Sequence, residues 1–259
     1  MGDTKIIFFD IDGTLVDMKR RRPSGKTVET LKRLKEKGIF ICIATGRSPM
    51  QLPYFSDVEF DVFLTYNGSY CYNLHQTIFS NPLSPGDVQT IIENAKAIHR
   101  PVSLATKDRL AANGKDEDLV EYYRFANLEV AIADDFNQVA KQEEIYQIMM
   151  GCREKNYAWL MNRVHNARIT AWWDRAVDII PADGGKGIGI KKVLEYYHLD
   201  QSESLAFGDG NNDIEMLQSV GTGIAMANAS DKLKEVADDI CGDVADDGIY
   251  YYCLGHHLI

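Results

Sequence analysis

Two aspartates lie two positions apart at the end of a short apolar run near the start of the chain. The run covers residues 5–9, and the motif after it reads Asp10-Ile-Asp12-Gly-Thr. Carboxylates this close repel each other, which costs stability unless a cation or a shared proton relieves the repulsion. Such a pair is therefore typical of a metal site or an acid/base site. The alternative is a pair of exposed turn aspartates, because aspartate is also a favoured turn residue.

A second acidic cluster, Gly208-Asp209-Gly-Asn-Asn212-Asp213, follows another apolar run and precedes a predicted helix. It is not an EF-hand calcium loop, which needs glycine at its sixth position and glutamate at its twelfth, where this chain has Ile214 and Val220. A dinucleotide-binding glycine loop is excluded because Asp213 stands in place of the third glycine. The cluster favours a hard cation, and Mg²⁺ suits carboxylates combined with waters and a substrate phosphate.

Two weaker motifs contain groups that could bind a phosphate. Thr45-Gly46-Arg47 offers a hydroxyl group and backbone amides. Asp183-Gly-Gly-Lys186-Gly places one lysine among glycines before a predicted helix, but Gly187 excludes a Walker A loop, which needs serine or threonine after the lysine. Each motif alone is also typical of an ordinary turn, so the interpretation depends on their joint order along the chain.

The elements around these motifs predict a parallel sheet. Residues 5–9 and 39–44 are apolar runs typical of strands buried on both faces, and residues 28–37 between them have helical spacing. A strand, helix and strand of this length make parallel neighbours, so Asp10 and Thr45 should emerge at the same sheet edge, where ligands bind in open α/β sheets. The alternation returns near the C-terminus, with helices over 189–197 and 213–220 and strands over 204–207 and 223–226.

The middle of the chain has a different pattern. From Leu83 to Pro181, helices are predicted near 88–99 and 119–125 and strands near 145–150, 168–173 and 177–180. We predict an α/β fold with a doubly wound parallel-sheet core formed by residues 1–82 and 182–259, and an inserted α+β cap domain over residues 83–181. Proline and glycine residues on both sides of the insert are typical of hinges.

Composition restricts the class of protein. The chain has 259 residues, 45% of them hydrophobic, and 28 lysines and arginines against 38 aspartates and glutamates, a net charge of −10. These values favour a folded, soluble protein over a disordered one and over a nucleic-acid binder, which needs positive charge. The early apolar run is too short for a signal or membrane segment, and the five scattered cysteines favour neither disulfides nor a zinc site. A cytoplasmic location is expected.

The four motifs together resemble those of the haloacid dehalogenase superfamily of phosphatases. The resemblance rests on Asp10-x-Asp12-Gly-Thr, Thr45-Gly-Arg, Lys186-Gly and Gly-Asp209-Gly-Asn-Asn212-Asp213, in that order. Because the insert falls between the second and third motifs, the chain is similar to the branch with a C2-type cap, the Cof-like sugar-phosphate phosphatases. The turn at Asn67 and Gly68 fits that branch, and Asp12 favours phosphate chemistry because dehalogenases lack this second aspartate.

The resemblance implies a Mg²⁺-dependent phosphomonoesterase acting on small phosphorylated metabolites. Asp10 is expected to attack phosphorus and form an aspartyl phosphate, while Asp12 acts as general acid and base, with repulsion from Asp10 helping it to keep a proton. The implied Mg²⁺ ligands are Asp10, the backbone carbonyl of Asp12, and Asp209. Asp213 is implied to orient a water molecule or Lys186.

Further residues are implied to contact the substrate. Charge shifts onto the transferring phosphate oxygens during the reaction, and donors must meet it there. The residues expected to bind these oxygens are Thr45, the Gly46 amide, Lys186 and Asn212. Candidates for contacts to the rest of the substrate are Arg47, Asn67 and Arg168.

Two alternative functions stay open at this point. A phosphomutase would keep the same acid pair and pass the phosphoryl group to another hydroxyl. A catalytically silent binding module on the same fold would be expected to lack the nucleophile, which this chain retains at Asp10. The pattern does not identify the metabolite or distinguish a monomer from a small homo-oligomer, and neither a nucleic acid nor a membrane is expected as a partner.

Overall fold

The computed structural model describes residues 4–55, 58–126, 128–171 and 173–259, which form two β-sheets and the helices around them. Both sheets are built from short strands. In chain order, the strands are β1 (Ile6–Phe9), β2 (Phe40–Ala44), β3 (Val62–Thr65), β4 (Tyr70–Asn73), β5 (Thr77–Ser80), β6 (Ser103–Ala105), β7 (Leu110–Ala112), β8 (Gln147–Gly151), β9 (Ala167–Thr170), β10 (Ala176–Pro181), β11 (Ser204–Gly208), β12 (Thr222–Ala225) and β13 (Asp239–Ile240).

The helices alternate with the strands along much of the chain. They are α1 (Gly25–Glu36), α2 (Pro85–Ala97), α3 (Glu117–Phe125), α4 (Phe136–Gln142), α5 (Tyr157–Leu160), α6 (Lys186–Tyr197), α7 (Ile214–Leu217), α8 (Asp231–Val236) and α9 (Gly248–Gly255). None of those in the described residues is long and apolar enough to cross a membrane.

The larger sheet has eight strands in the order β13-β12-β11-β1-β2-β3-β4-β5. The strands from β13 to β3 are parallel, and β3, β4 and β5 are joined by antiparallel pairing at one edge. All four residues of β1 are buried, so other layers cover both faces of the sheet at this strand. The predicted α/β class with a parallel sheet is confirmed.

Two helices begin earlier in the chain than the sequence predicts. Helix α1 begins at Gly25 rather than at residue 28, because the Ser24 side chain accepts a hydrogen bond from the Thr27 backbone and caps the first turn. Helix α6 begins at Lys186 rather than at residue 189. The helix predicted over residues 213–220 is shorter, since a 3₁₀ turn over residues 211–213 leads into α7. Lys186 and Asp213 therefore both lie where a helix begins.

The order of the larger sheet creates a crevice beside β1. Strands β2 and β11 flank β1 on opposite sides, and all three run in the same direction. Their carboxyl ends carry Asp10, Thr45 and Asp209, and the rings of Phe9 and Phe207 stack at 5.4 Å just before the two aspartates. A reversal of strand order of this kind is where ligands bind in open α/β sheets.

The smaller sheet is antiparallel, with the order β7-β6-β8-β10-β9. Its strands all lie between Ser103 and Pro181, within the segment expected to form the inserted cap. Residues from α2, α4 and α5 pack with this sheet in a hydrophobic cluster of their own. The domain boundaries at 82/83 and 181/182 stay predictions.

Candidate active site

The turn after β1 brings Asp10 next to Asp209. The Asp10 backbone N–H donates to the Phe207 carbonyl at 3.0 Å, and the chain then turns at Gly13, which has a φ of +86°. A Cβ at Gly13 would lie 2.2 Å from an oxygen of Asp209, so only glycine fits between this carboxylate and the turn. Thr14 donates from Oγ1 to the other Asp209 oxygen at 3.0 Å.

Lys186 connects the loop after β1 to the loop after β11. Its Nζ donates to Asp10 Oδ1 at 2.6 Å and to Asp213 Oδ1 at 2.5 Å, and its side chain is fully buried. The second oxygen of Asp213 accepts from the backbone N–H groups of Asp209 and Gly210, both at 3.0 Å. The lysine and the acidic loop therefore hold each other in place.

The charges in this cluster do not balance. Carboxylate oxygens of Asp10, Asp209 and Asp213 lie within 4.8 Å of one another, and Lys186 supplies one positive charge. Burial raises the pKa of Asp10 to about 7, although Lys186 opposes this shift. Burial and the charge of Asp10 also raise the pKa of Asp209 well above its usual value. Although burial acts in the opposite direction, the carboxylates of Asp10 and Asp213 raise the pKa of Lys186.

These residues fit a divalent cation. With every carboxylate ionised the four side chains carry a net charge of −2, and hard oxygen donors are what Mg²⁺ prefers. Asp10 and Asp209 line a cavity, so their oxygens are accessible to an ion. Asp213 is fully buried and its two oxygens already accept bonds from Lys186 and the backbone. Asp10 and Asp209 are therefore the better candidates for direct ligands.

Asp12 lies in a bidentate ion pair with Arg47. Arg47 donates from Nη2 to Asp12 Oδ1 at 2.6 Å and from Nε to Asp12 Oδ2 at 2.7 Å. Its Nη1 donates to the Gln51 carbonyl at 2.8 Å, and its backbone N–H donates to Thr45 Oγ1 at 3.1 Å. Arg47, predicted to contact the substrate, thus fixes the orientation of Asp12, the predicted acid/base group. This ion pair was not predicted from the sequence.

Above the acidic cluster is a cavity of about 200 Å³ between the two sheets. From the core, the predicted residues Asp10, Asp12, Thr45, Gly46, Arg47, Asp209 and Asn212 line it. From the insert, it is lined by Tyr122, Phe125, Ala126 and Met149, a largely apolar wall. This volume is below the range of about 300–1,000 Å³ typical of drug-sized ligands, which favours a small metabolite.

Phe125, one residue of this apolar wall, makes an aromatic contact with Trp173. The rings of Phe125 and Trp173 meet edge to face at 5.2 Å. Because neighbouring strand residues face opposite sides, at least one of Trp172 and Trp173 is expected to point inward, but Trp172 lies outside the described residues. Trp173 is half-buried and reaches the cavity wall through Phe125.

Two predicted substrate contacts have other partners. Arg168 donates from Nη2 to the Gly184 carbonyl at 2.8 Å and to Glu215 at 2.6 Å, and it is not among the residues described as lining the cavity. Asn67 is only 2% exposed. The Asn67 amide instead contacts Gln147 and Asp178 of the insert, at 3.1 and 3.2 Å. Both residues line a neighbouring cavity that Lys186 and Asn212 also line, so a direct contact with substrate stays a prediction for each.

Three residues of the insert were missed from the sequence. Tyr122 donates to Asp178 at 2.6 Å, and Gln147 donates to the Gly46 carbonyl at 3.1 Å. Burial raises the pKa of Asp178 to about 7, while its bonds from Tyr122 and Asn67 act in the opposite direction. The sequence could have indicated two of them, because Gln147 and Asp178 are polar residues in strands that are otherwise apolar, and a buried polar group needs a partner.

Comparison with known proteins gives consistent matches over almost the whole chain. A family model described as haloacid dehalogenase-like hydrolase matches residues 7–253. "Putative phosphatase YkrA" of Bacillus subtilis is 35% identical over 96% of both chains, and pyridoxal phosphate phosphatase YbhA of Escherichia coli is 28% identical over 98% of both. The solved structure of BT4131, a sugar phosphatase of haloacid dehalogenase subclass IIB, has a TM-score of 0.91 and 27% identity, and the match covers 99% of this chain and 100% of that one.

Replacing Lys186 with methionine should destabilise the protein. The variant leaves Asp10 and Asp213 buried without their counter-charge, and breaking a buried ion pair costs about 3–5 kcal/mol. We expect the free energy of unfolding in urea to fall by this amount at pH 8 without metal. At pH 5, where Asp10 is protonated, the fall should be smaller. Lys192→Met, an exposed site on the same helix, is the control and should cost less than about 1 kcal/mol. Equal unfolding free energies for the two variants would contradict the assignment.

Proposed function

Because the chain belongs to the haloacid dehalogenase-like hydrolases and is a phosphatase of their Cof-like branch, we propose that it hydrolyses small phosphate monoesters with Mg²⁺, through an aspartyl-phosphate intermediate. The observation that carries this proposal is the position of Asp10. Its carboxylate lies at the carboxyl end of the central strand, bound by Lys186 on one oxygen and lining the cavity between the two sheets. A carboxylate so placed has one oxygen held and the other directed at a substrate.

The chain's own groups account for both steps of the reaction. The second oxygen of Asp10 attacks phosphorus, the bond from phosphorus to the ester oxygen breaks, and Asp12 gives a proton to the leaving oxygen. Asp12 then takes a proton from a water molecule, which attacks the acyl phosphate and releases inorganic phosphate and free Asp10. Arg47 orients Asp12 by binding both oxygens of the carboxylate, and this pair must loosen when Asp12 carries the proton that it gives to the leaving oxygen.

Mg²⁺ would be held by Asp10, Asp209 and the backbone carbonyl of Asp12. When bound, it offsets the excess negative charge of the cluster and reduces the repulsion between the Asp10 carboxylate and the phosphate. Asp213 supports this arrangement indirectly, since it binds Lys186 and the backbone of Asp209. We assign the phosphate oxygens to Thr45, the Gly46 amide and Asn212, which line the cavity, and to Lys186, which binds Asp10 beside it.

The apolar wall formed by residues of the insert favours substrates whose leaving group has a flat, weakly polar face. Tyr122, Phe125 and Met149 offer ring and thioether surface, whereas a polyhydroxylated sugar needs several hydrogen-bond partners. The Escherichia coli relative carries the name of a pyridoxal phosphate phosphatase. We therefore propose that ring-bearing phosphate esters are better substrates than hexose phosphates.

Asp10→Asn should abolish turnover without unfolding the protein, because the change is nearly isosteric and removes the nucleophile. The measurement is phosphate release from a panel of sugar, nucleotide and cofactor monophosphates, with circular dichroism as the folding check. We expect at least a thousandfold loss, as for other essential nucleophiles. Activity retained in this variant would exclude Asp10 as the nucleophile, and an isomeric phosphate ester as product would indicate a mutase.

Mg²⁺ should raise the melting temperature more at pH 8 than at pH 6. The raised pKa of Asp10, about 7, means that below this pH a proton occupies the carboxylate and competes with the cation. The apparent affinity for Mg²⁺ should therefore fall by up to about tenfold per pH unit below pH 7. Asp209→Asn is the matched control and should reduce the Mg²⁺-dependent shift at both pH values. Equal shifts at pH 6 and pH 8 in the unmodified protein would contradict this site.

Phe125→Ala should reduce kcat/KM for pyridoxal 5′-phosphate by about tenfold, because an aromatic contact contributes about 0.5–1.5 kcal/mol beyond its buried area. The same variant should change kcat/KM for glucose 6-phosphate by less than about twofold. Trp159→Ala removes an exposed aromatic residue elsewhere on the insert and should change neither value. Equal losses for both substrates would show that Phe125 supports the fold of the cavity and does not select the leaving group.

A further inference from the structure

A chain of side-chain amides links the insert to the candidate phosphate site. Gln147 donates from Nε2 to the Gly46 carbonyl at 3.1 Å, and its Oε1 accepts from Asn67 Nδ2 at 3.1 Å. Asn67 Oδ1 in turn accepts from Asn212 Nδ2 at 3.2 Å. We refer to Gln147, Asn67 and Asn212 as the amide relay. Gln147 belongs to the insert, and Asn212 lines the cavity above Asp10.

The direction of every bond in the relay follows from its two ends. A backbone carbonyl only accepts, so Gln147 must turn its nitrogen to Gly46 and its oxygen to Asn67. Asn67 Nδ2 also donates to a carboxylate oxygen of Asp178 at 3.2 Å, and this uses both of its N–H groups. Asn67 is left with only its oxygen for Asn212, which must therefore present nitrogen.

The backbone around Asn67 leaves little freedom for another arrangement. Asn67 has a φ of 52°, and its backbone N–H donates to the Thr45 carbonyl at 2.9 Å. A Cβ on Gly46 would lie 3.1 Å from the Asn67 amide nitrogen, so the amide packs directly on the backbone of the Thr45-Gly46-Arg47 loop. The relay thus contacts the phosphate-binding loop from both its carbonyl side and its Cα side.

We propose that Asn67 is a positioning residue that couples the contacts of the insert to the phosphate site. Gln147 and Asp178 fix the Asn67 amide, and Asn67 fixes Asn212 with nitrogen toward the cavity, where its second N–H donates to a phosphate oxygen. Asn212 would otherwise be free to rotate and present its oxygen, which repels a phosphate. This inference rests on the proposed function, because it takes the ligand of Asn212 to be the substrate phosphate.

A double-mutant cycle tests the proposal. Asn67→Gly removes the side chain and keeps the positive φ without strain, and Asn212→Ala removes the donor. The readouts are the Kd for inorganic phosphate in Mg²⁺, by calorimetry, and kcat and KM for acetyl phosphate, whose leaving group is too small to reach the apolar wall. We expect each single variant to raise Kd and KM by about tenfold. The double variant should match Asn212→Ala within about twofold, because Asn67 acts through Asn212.

A substitution on the insert provides a second test that leaves Asn67 intact. Gln147→Glu is nearly isosteric and places a carboxylate oxygen against the Gly46 carbonyl, so the orientation of the relay is lost. It should weaken phosphate binding by about threefold to tenfold, although residue 147 touches no substrate. Gln138→Glu makes the same chemical change at an exposed position of α4 and should leave Kd and KM unchanged.

The outcomes separate this proposal from the proposed function. If the unmodified protein releases phosphate from a phosphate monoester only with Asp10 present, the function stands. Losses that multiply in the double variant, or a Gln147→Glu variant that binds phosphate like the unmodified protein, would then overturn the relay alone. A protein that binds phosphate with a coupled cycle but hydrolyses no ester would retain the relay and overturn the function. Absence of phosphate binding would overturn both.

Discussion

The candidate active site depends on one buried ammonium group between two carboxylates. Lys186 lies at the start of α6, and its bonds to Asp10 and Asp213 hold the end of β1 against the loop after β11. One lysine does not neutralise the two buried carboxylates and the partly buried Asp209, so protons or a cation are needed to balance the charge of the cluster. Burial raises the pKa of Asp10, the neighbouring carboxylates add to this shift, and the remaining negative charge makes the cluster suitable for Mg²⁺.

The core and the insert contribute different chemistry to the same cavity. The core supplies charge, with carboxylates at the strand ends and hydrogen-bond donors beside them. The insert supplies an apolar wall from α3 and β8, together with the polar contacts of Gln147 and Asp178 to Asn67. Under the proposed function, the core side of the cavity carries the reaction and the insert side selects the leaving group.

The sequence was sufficient to predict the features that depend on local order. Asp10, Thr45 and Asp209 each follow a buried apolar run, and the ends of parallel strands must meet at one edge, so their proximity was predictable. The Asp12–Arg47 ion pair was not, since both residues were already assigned separate roles and no local rule pairs them. Gln147 and Asp178 were missed because their partners lie 80 or more positions away, at Asn67. Strand β5 was missed because its four residues are only partly buried or exposed.

The pairing of the central strand has a consequence for how the protein is made. Ile6 of β1 pairs with Phe40 of β2 on one side. On the other side it pairs with Ser204 of β11, which lies much later in the chain. At about 5–20 residues per second, a ribosome needs roughly 10–40 s to synthesise the intervening chain. Throughout that interval the most buried strand of the finished sheet has an unpaired, apolar edge. The candidate active site, which needs Lys186 and Asp209 beside Asp10, can form only after most of the polypeptide has been synthesised.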